Sequence, residues 1–188
     1  MKIILGITGS VATVLVPKIY NELSKNHDVR IVATTPALYF VKNDFNVKIF
    51  KDEDEWPEGG YHKDDKVMHI EFRNWADILL IAPISANTLS KIANGISDNF
   101  LCCIARCWQK QKPLIIAPTM NTEMWVDSIT QIHISEIKKR FNMMMIDPIN
   151  KKLACGDEGI GAMADIKQII DYVNLVETFL KLNIKLPK

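Results

Sequence analysis

The stretch Lys2-Ile3-Ile4-Leu5-Gly6-Ile7-Thr8-Gly9-Ser10 decides the fold. It is a short apolar run that stops at a Gly-Ser pair, which reads as a buried strand entering a tight turn. Val11, Val14, Leu15, Ile19 and Leu23 follow at helical spacing and predict a helix over 11–25, with Pro17 distorting its first turns. Val29 to Thr34 reads as a second strand. Strand, helix and strand at this spacing form a βαβ unit, which implies a parallel sheet.

Further along, Ile78–Ala82, Leu114–Ala117 and Met143–Ile146 read as buried strands. Helical stretches lie between and beyond them at 88–93, 99–109 and 128–141. Ile166, Ile169, Ile170, Val173, Val176 and Phe179 carry the strongest helical period in the chain. The segment 42–66 is rich in Asp, Glu, Gly and Lys, and reads as a surface excursion with one short strand at 47–50. Trp56, among Asp52, Glu53, Asp54 and Glu55, reads as an aromatic anchor in a solvated loop. Strands alternating with helices predict a doubly wound, mostly parallel α/β sheet with helices on both faces. Ligands of such sheets bind beyond the carboxyl ends of the strands.

Composition narrows the function classes. The 188 residues are 48% apolar and 24% charged, an ordinary globular balance. Lys and Arg total 23 against 22 Asp and Glu, which gives no basic face for nucleic acid. No apolar run approaches a membrane span. The N-terminal run is too short and too soon broken by glycine for a signal peptide. Cys102, Cys103, Cys107 and Cys155 contain no CxxC pair, so neither a disulfide scaffold nor a zinc site is expected. The three close cysteines read as packing on one helix, and Lys138-Lys139-Arg140 as charge favouring a helix C-terminus. The expectation is a reduced, cytoplasmic, soluble domain without a metal.

The strand ends carry the polar groups. Thr8-Gly9-Ser10 can admit an anion close to the backbone at a helix start. It is neither a Walker A sequence nor GxGxxG, so no nucleoside triphosphate or NAD is specifically called for. Pro83-Ile84-Ser85-Ala86-Asn87-Thr88 sets hydroxyls and an amide at another helix start. Pro118-Thr119-Met120-Asn121-Thr122-Glu123-Met124-Trp125 follows the strand at 114–117. A glycine-laced run, Leu153 to Ala164, surrounds the lone Cys155 and reads as a mobile lid.

Together these residues resemble the flavin-dependent cysteine decarboxylases. The resemblance rests on Gly9-Ser10-Val11-Ala12, His69-Ile70-Glu71, Trp75-Ala76-Asp77, Ser85-Ala86-Asn87-Thr88-Leu89, Lys91-Ile92-Ala93 and Asp98-Asn99. It continues through Pro118-x-Met120-Asn121-x-x-Met124-Trp125 and Ala154-Cys155-Gly156-Asp157. It implies a Rossmann/flavodoxin-like flavoprotein, one flavin-binding domain over 1–188 with a mobile substrate-clamp loop at 148–164. The implied cofactor is FMN. The implied reaction is decarboxylation of 4'-phosphopantothenoylcysteine to 4'-phosphopantetheine in coenzyme A synthesis.

The chemistry makes physical sense. Losing CO2 from an acylated cysteine leaves a carbanion without an electron sink. Oxidising the thiol to a thioaldehyde places a C=S group β to the carboxylate, and re-reduction after CO2 loss makes the net reaction redox-neutral. By resemblance His69 is the catalytic base and Cys155 the acid that protonates the enethiolate. Asn121, Met124, Lys152, Leu153 and Ala154 contact substrate. Gly9, Ser10, Thr34, Phe40, Ser85, Ala86, Asn87, Thr88 and Thr119 contact the flavin. The resemblance also implies a homotrimer with sites between subunits, His69 from one and the Asn121/Cys155 side from its neighbour. Asn74, Thr119 and Pro36 depart from the family's usual arginine, alanine and serine.

Two other readings are weighed. One is a peptidyl-cysteine decarboxylase or flavin prenyltransferase of the same fold. The other is a regulatory phosphatase-inhibitor subunit, which typically carries long, often acidic extra segments. The strings at 118–125 and 154–157 favour the small-molecule substrate, and retention of His69 and Cys155 favours an enzyme.

Overall fold

The computed structural model describes residues 1–41, 44–60, 62–152, 156 and 158–184, with Lys152 described through its backbone alone. Strand β1 (Lys2–Ile7) leads through a 3-10 turn (Val11–Leu15) into α1 (Val16–Leu23) and β2 (Asp28–Ala33). One-turn helices α2 (Thr35–Leu38) and α3 (Asp52–Glu55) flank the short β3 (Ile49–Phe50). Helix α4 (Met68–Trp75) precedes β4 (Ile78–Ile84), α5 (Ala86–Asn94), α6 (Phe100–Arg106) and β5 (Pro113–Pro118). Then come α7 (Thr122–Val126), α8 (Ser128–Arg140), β6 (Asn142–Met145), the pair β7 (Ile149–Lys152) and β8 (Glu158–Ala162), and α9 (Ile166–Lys181).

Six strands form one parallel sheet in the order β3-β2-β1-β4-β5-β6. The order reverses between β1 and β4, which is where doubly wound sheets open a crevice for ligands. The two-residue alternation of strand side chains sorts the core into two layers. Ile3, Leu5 and Ile7 of β1 face α1 and α9, where Ile19, Leu23, Ile169, Val173 and Val176 are buried. Ile4 faces the other way, among Phe72, Leu101 and Ile104 of α4 and α6. Gly6 lies on that second face because a Cβ there would sit 2.7 Å from Leu101 Cδ1. No helix among the described residues is long and apolar enough to cross a membrane.

Some local expectations are corrected. Pro17 does not distort a helix over 11–25: the chain takes a 3-10 turn first, and Pro17 falls in the first turn of α1, where a missing N–H costs nothing. Helix α4 was not foreseen, because its apolar stripe is only a turn or two long. The acidic run at 52–55 is a helix rather than a solvated loop, although Trp56 after it is half exposed. The Cys155 segment does not begin and end as free loop. Its flanks β7 and β8 pair antiparallel, Lys152 opposite Glu158. β8 docks on the residues after β5: Met120 N–H donates to Gly161 O at 2.9 Å. Gly161 has φ +142°, and a Cβ there would strike the Met120 carbonyl, so only glycine fits. Lys138, Lys139 and Arg140 do occupy the last turn of α8, and Arg140 also donates to the Ile92 and Ala93 carbonyls at 2.9 Å, closing the end of α5.

Thr8 ties the two central strands together at the crevice. Its buried hydroxyl donates to Pro83 O at 2.9 Å and accepts from Ser85 N–H at 2.8 Å. Its carbonyl accepts from Thr13 Oγ1 at 2.7 Å. Thr8→Val keeps the shape but orphans two buried backbone groups, so it should destabilise the protein by about 1–3 kcal/mol. Urea unfolding would show this as a lower midpoint at unchanged slope, and an unchanged midpoint would mean the knot contributes nothing.

Candidate active site

An open cleft of about 500 Å³ lies beyond the carboxyl ends of β1, β2, β4 and β5. That size is within the range of small-molecule and cofactor sites, roughly 300–1,000 Å³. Each wall follows from a strand end. Gly9 and Ser10 come after β1, Thr34 to Pro36 after β2, Ser85 to Thr88 after β4, and Thr119 and Met120 after β5. Gly9 is required by close approach, since a Cβ there would stand 2.7 Å from Pro36 Cβ. Ser85 caps α5, its Oγ accepting from Thr88 N–H at 3.4 Å. The first-turn N–H groups beside Ala86 and Asn87 have no acceptor within the helix and give this wall a positive dipole end.

The cleft holds few charges. Asp52 accepts from Phe100 N–H at 2.8 Å through Oδ1 and from Thr35 Oγ1 at 2.9 Å through Oδ2. Lys91 and Asp98 pair at 2.6 Å, and that bond holds the Asp98 carboxyl below and the Lys91 ammonium above their ordinary ranges. Asn99 caps α6 on Cys102 N–H at 2.9 Å. With Lys91 engaged by Asp98, an anion in this cleft meets hydroxyls and N–H groups rather than a cluster of cations.

Thr34 is the most informative wall residue. It is 5% exposed, and its Oγ1 is buried without a hydrogen-bond partner. Buried hydroxyls are nearly always satisfied, so an unpaired one on a residue that lines the cleft fits a polar ligand atom.

The site residues expected from sequence divide into groups. Gly9, Ser10, Thr34, Ser85, Ala86, Asn87, Thr88 and Thr119 line the cleft, and so does Met124 at 54% exposure. Phe40 does not; it is half-buried beside Tyr39, ring centroids 5.0 Å apart, because α2 turns it away. Asn121 is not part of the wall either; it caps α7, its Oδ1 accepting from Glu123 N–H at 2.8 Å. His69 also lies off the cleft. It opens α4, where its Nδ1 meets Glu55 Oε1 at 2.6 Å and its backbone N–H donates to Glu55 Oε2 at 2.8 Å. Leu153, Ala154 and Cys155, and the Lys152 side chain, lie outside the described residues. Burial pushes the Cys102 and Cys103 thiols up to about 11 and raises Cys107, so all three stay protonated at neutral pH.

Sequence reasoning missed Asp52 and Glu55. The available signal was four consecutive acids, which suit the positive end of a helix. Nothing in their spacing told which acid would face the cleft and which would meet a histidine fourteen positions further along the chain.

The family model described as Flavoprotein matches residues 1–176. Phosphopantothenoylcysteine decarboxylase of Mus musculus is 40% identical over 178 residues, covering 93% of this chain and 86% of the mouse protein. The chain belongs to the phosphopantothenoylcysteine decarboxylase family of flavoproteins. A PPC decarboxylase mutant complexed with pantothenoylaminoethenethiol aligns at TM-score 0.89 and 40% identity, covering 94% of this chain and 98% of that one. The FMN binding protein AtHal3 aligns at 0.84 and 42%, covering 93% and 95%. Membership in this decarboxylase family matches the cleft, which offers a flavin hydroxyls, N–H groups and the unsatisfied Thr34.

Thr34→Val therefore has opposite effects on the two states. The ligand-free protein should be as stable as before or slightly more so, because an unpaired buried hydroxyl is removed. Flavin affinity should fall about tenfold, the worth of one lost hydrogen bond. Thermal melting of the ligand-free variant and fluorescence titration with FMN measure the two, and unchanged affinity would remove Thr34 from the site.

Proposed function

We propose that the chain is an FMN-dependent decarboxylase converting 4'-phosphopantothenoylcysteine to 4'-phosphopantetheine, acting in the cytoplasm as a homotrimer with sites between subunits. The observation that carries this reading is the cleft wall itself: Gly9, Ser10, Thr34, Ser85 to Thr88 and Thr119 converge on one space, and one of them, Thr34, keeps a buried hydroxyl without a partner. Ser10, Ser85, Thr88 and the first turn of α5 would hold the FMN phosphate, and Thr34 and Thr119 its polar edges. Bound FMN supplies a two-electron acceptor that can return what it takes. Met124, at the mouth, would bound the substrate beside it.

His69 would be the base, an imidazole that takes a proton from the substrate. Its place off the cleft of its own chain supports a shared site, in which a neighbour's His69 completes the cleft. Cys155 would return a proton late in the reaction, since a thiol is a far stronger acid than a serine hydroxyl.

The absorption spectrum of the purified protein tests the cofactor. CO2 release from 4'-phosphopantothenoylcysteine tests the reaction. Mixing tests the shared site: His69→Asn and Cys155→Ser chains should each be inactive alone. Assembled together at random, they should recover activity in roughly a quarter of sites, because every mixed ring of three has one junction built from two intact halves. No recovery, with mixed trimers confirmed by mass spectrometry, would place each site within a single subunit.

A further inference from the structure

The Glu55 carboxylate is nine-tenths buried, its side chain 6% exposed, and both of its oxygens are hydrogen-bonded to one residue. Oε1 meets His69 Nδ1 at 2.6 Å and Oε2 accepts from the His69 backbone N–H at 2.8 Å. The other acids of α3 point elsewhere: Asp52 to Phe100 N–H and Thr35, Glu53 to the Lys51 ammonium, and Asp54 to Lys51 N–H and Lys48. So the helix end alone does not recruit Glu55. A buried carboxylate is costly unless its hydrogen bonds are made. Here they are made to a ring that needs orienting.

We propose that Glu55 is a positioning residue for the reaction, holding His69 in the Nδ1–H tautomer with Nε2 as its free, proton-accepting nitrogen. This rests on the reading of His69 as the base. A carboxylate oxygen only accepts, so the nitrogen facing it donates, and in the neutral ring the other nitrogen is then the acceptor. When Nε2 takes a proton from the substrate, the ring becomes imidazolium, and the adjacent carboxylate offsets the new charge without itself taking the proton. Fixing the backbone N–H as well as the ring leaves the side chain few other orientations. Because α3 begins at Asp52, in the cleft of its own chain, and ends at Glu55, one turn of helix links the wall of that cleft to the base that a neighbour's cleft would receive.

The test uses the flavin-loaded protein labelled with 15N-histidine, with the His69 ring assigned by its loss in His69→Asn. At a pH where the ring is neutral, Nδ1 should be protonated and Nε2 bare. In Glu55→Gln, whose amide can donate as well as accept, the tautomers should mix, and kcat should fall about ten- to a hundredfold with KM little changed. Glu55→Asp should recover part of the loss if its carboxylate reaches Nδ1. A wild-type ring protonated at Nε2 would overturn the proposal, as would full kcat in Glu55→Gln. Near-normal turnover in His69→Asn would instead overturn the reading of His69, whatever its tautomer.

Discussion

The Thr8 hydroxyl is the constraint on which the site depends. It joins the end of β1 to the end of β4 by giving a hydrogen bond to Pro83 O and taking one from Ser85 N–H. The first bond fixes the exit of β4, where the Ala82–Pro83 peptide is cis and pairing with β5 shifts between Ile81 and Ile84. The second fixes Ser85, which in turn caps α5 and aims its first turn at the cleft. Thr13 then holds the turn after β1 by bonding the Thr8 carbonyl. A crevice forms at a topological switch point because two neighbouring strands send their helices to opposite faces. One threonine keeps the two lips of that crevice in register.

The architecture was readable because parallel strands buried on both faces appear as continuous apolar runs, as in Ile78–Ile84, buried throughout. The cleft-lining residues were readable for a related reason: they stand directly after those runs. Two residues close to these in sequence do not line the cleft of their own chain, because tertiary placement decides what faces it. Phe40 lies six residues after Thr34, yet the short α2 turns it from the cleft. Asn121 stands in a strong motif, yet the backbone of α7 claims its carbonyl oxygen. Helix α4 hides because burial on it is largely the work of one residue, Phe72.

The acids of α3 show how much a short helix can organise. Four consecutive carboxylates would repel one another in a solvated loop. Asp52, Asp54 and Glu55 instead each bond a different backbone N–H, those of Phe100, Lys51 and His69. The same segment therefore closes the start of α6, its own N-terminus and the ring of the histidine on α4.

The hairpin of β7 and β8 has a consequence for how this chain can vary. Its arms are fixed from outside the segment that joins them, by Met120 on Gly161 and by Thr122, which leaves no room for a Cβ on Gly159. The glycines act as a seat cut to the shape of the 120–122 backbone. The register of the hairpin is therefore set by the arms themselves and by what they rest on. The seat tolerates no variation at 161, because any side chain there must displace the Met120 carbonyl and, with it, the wall of the cleft.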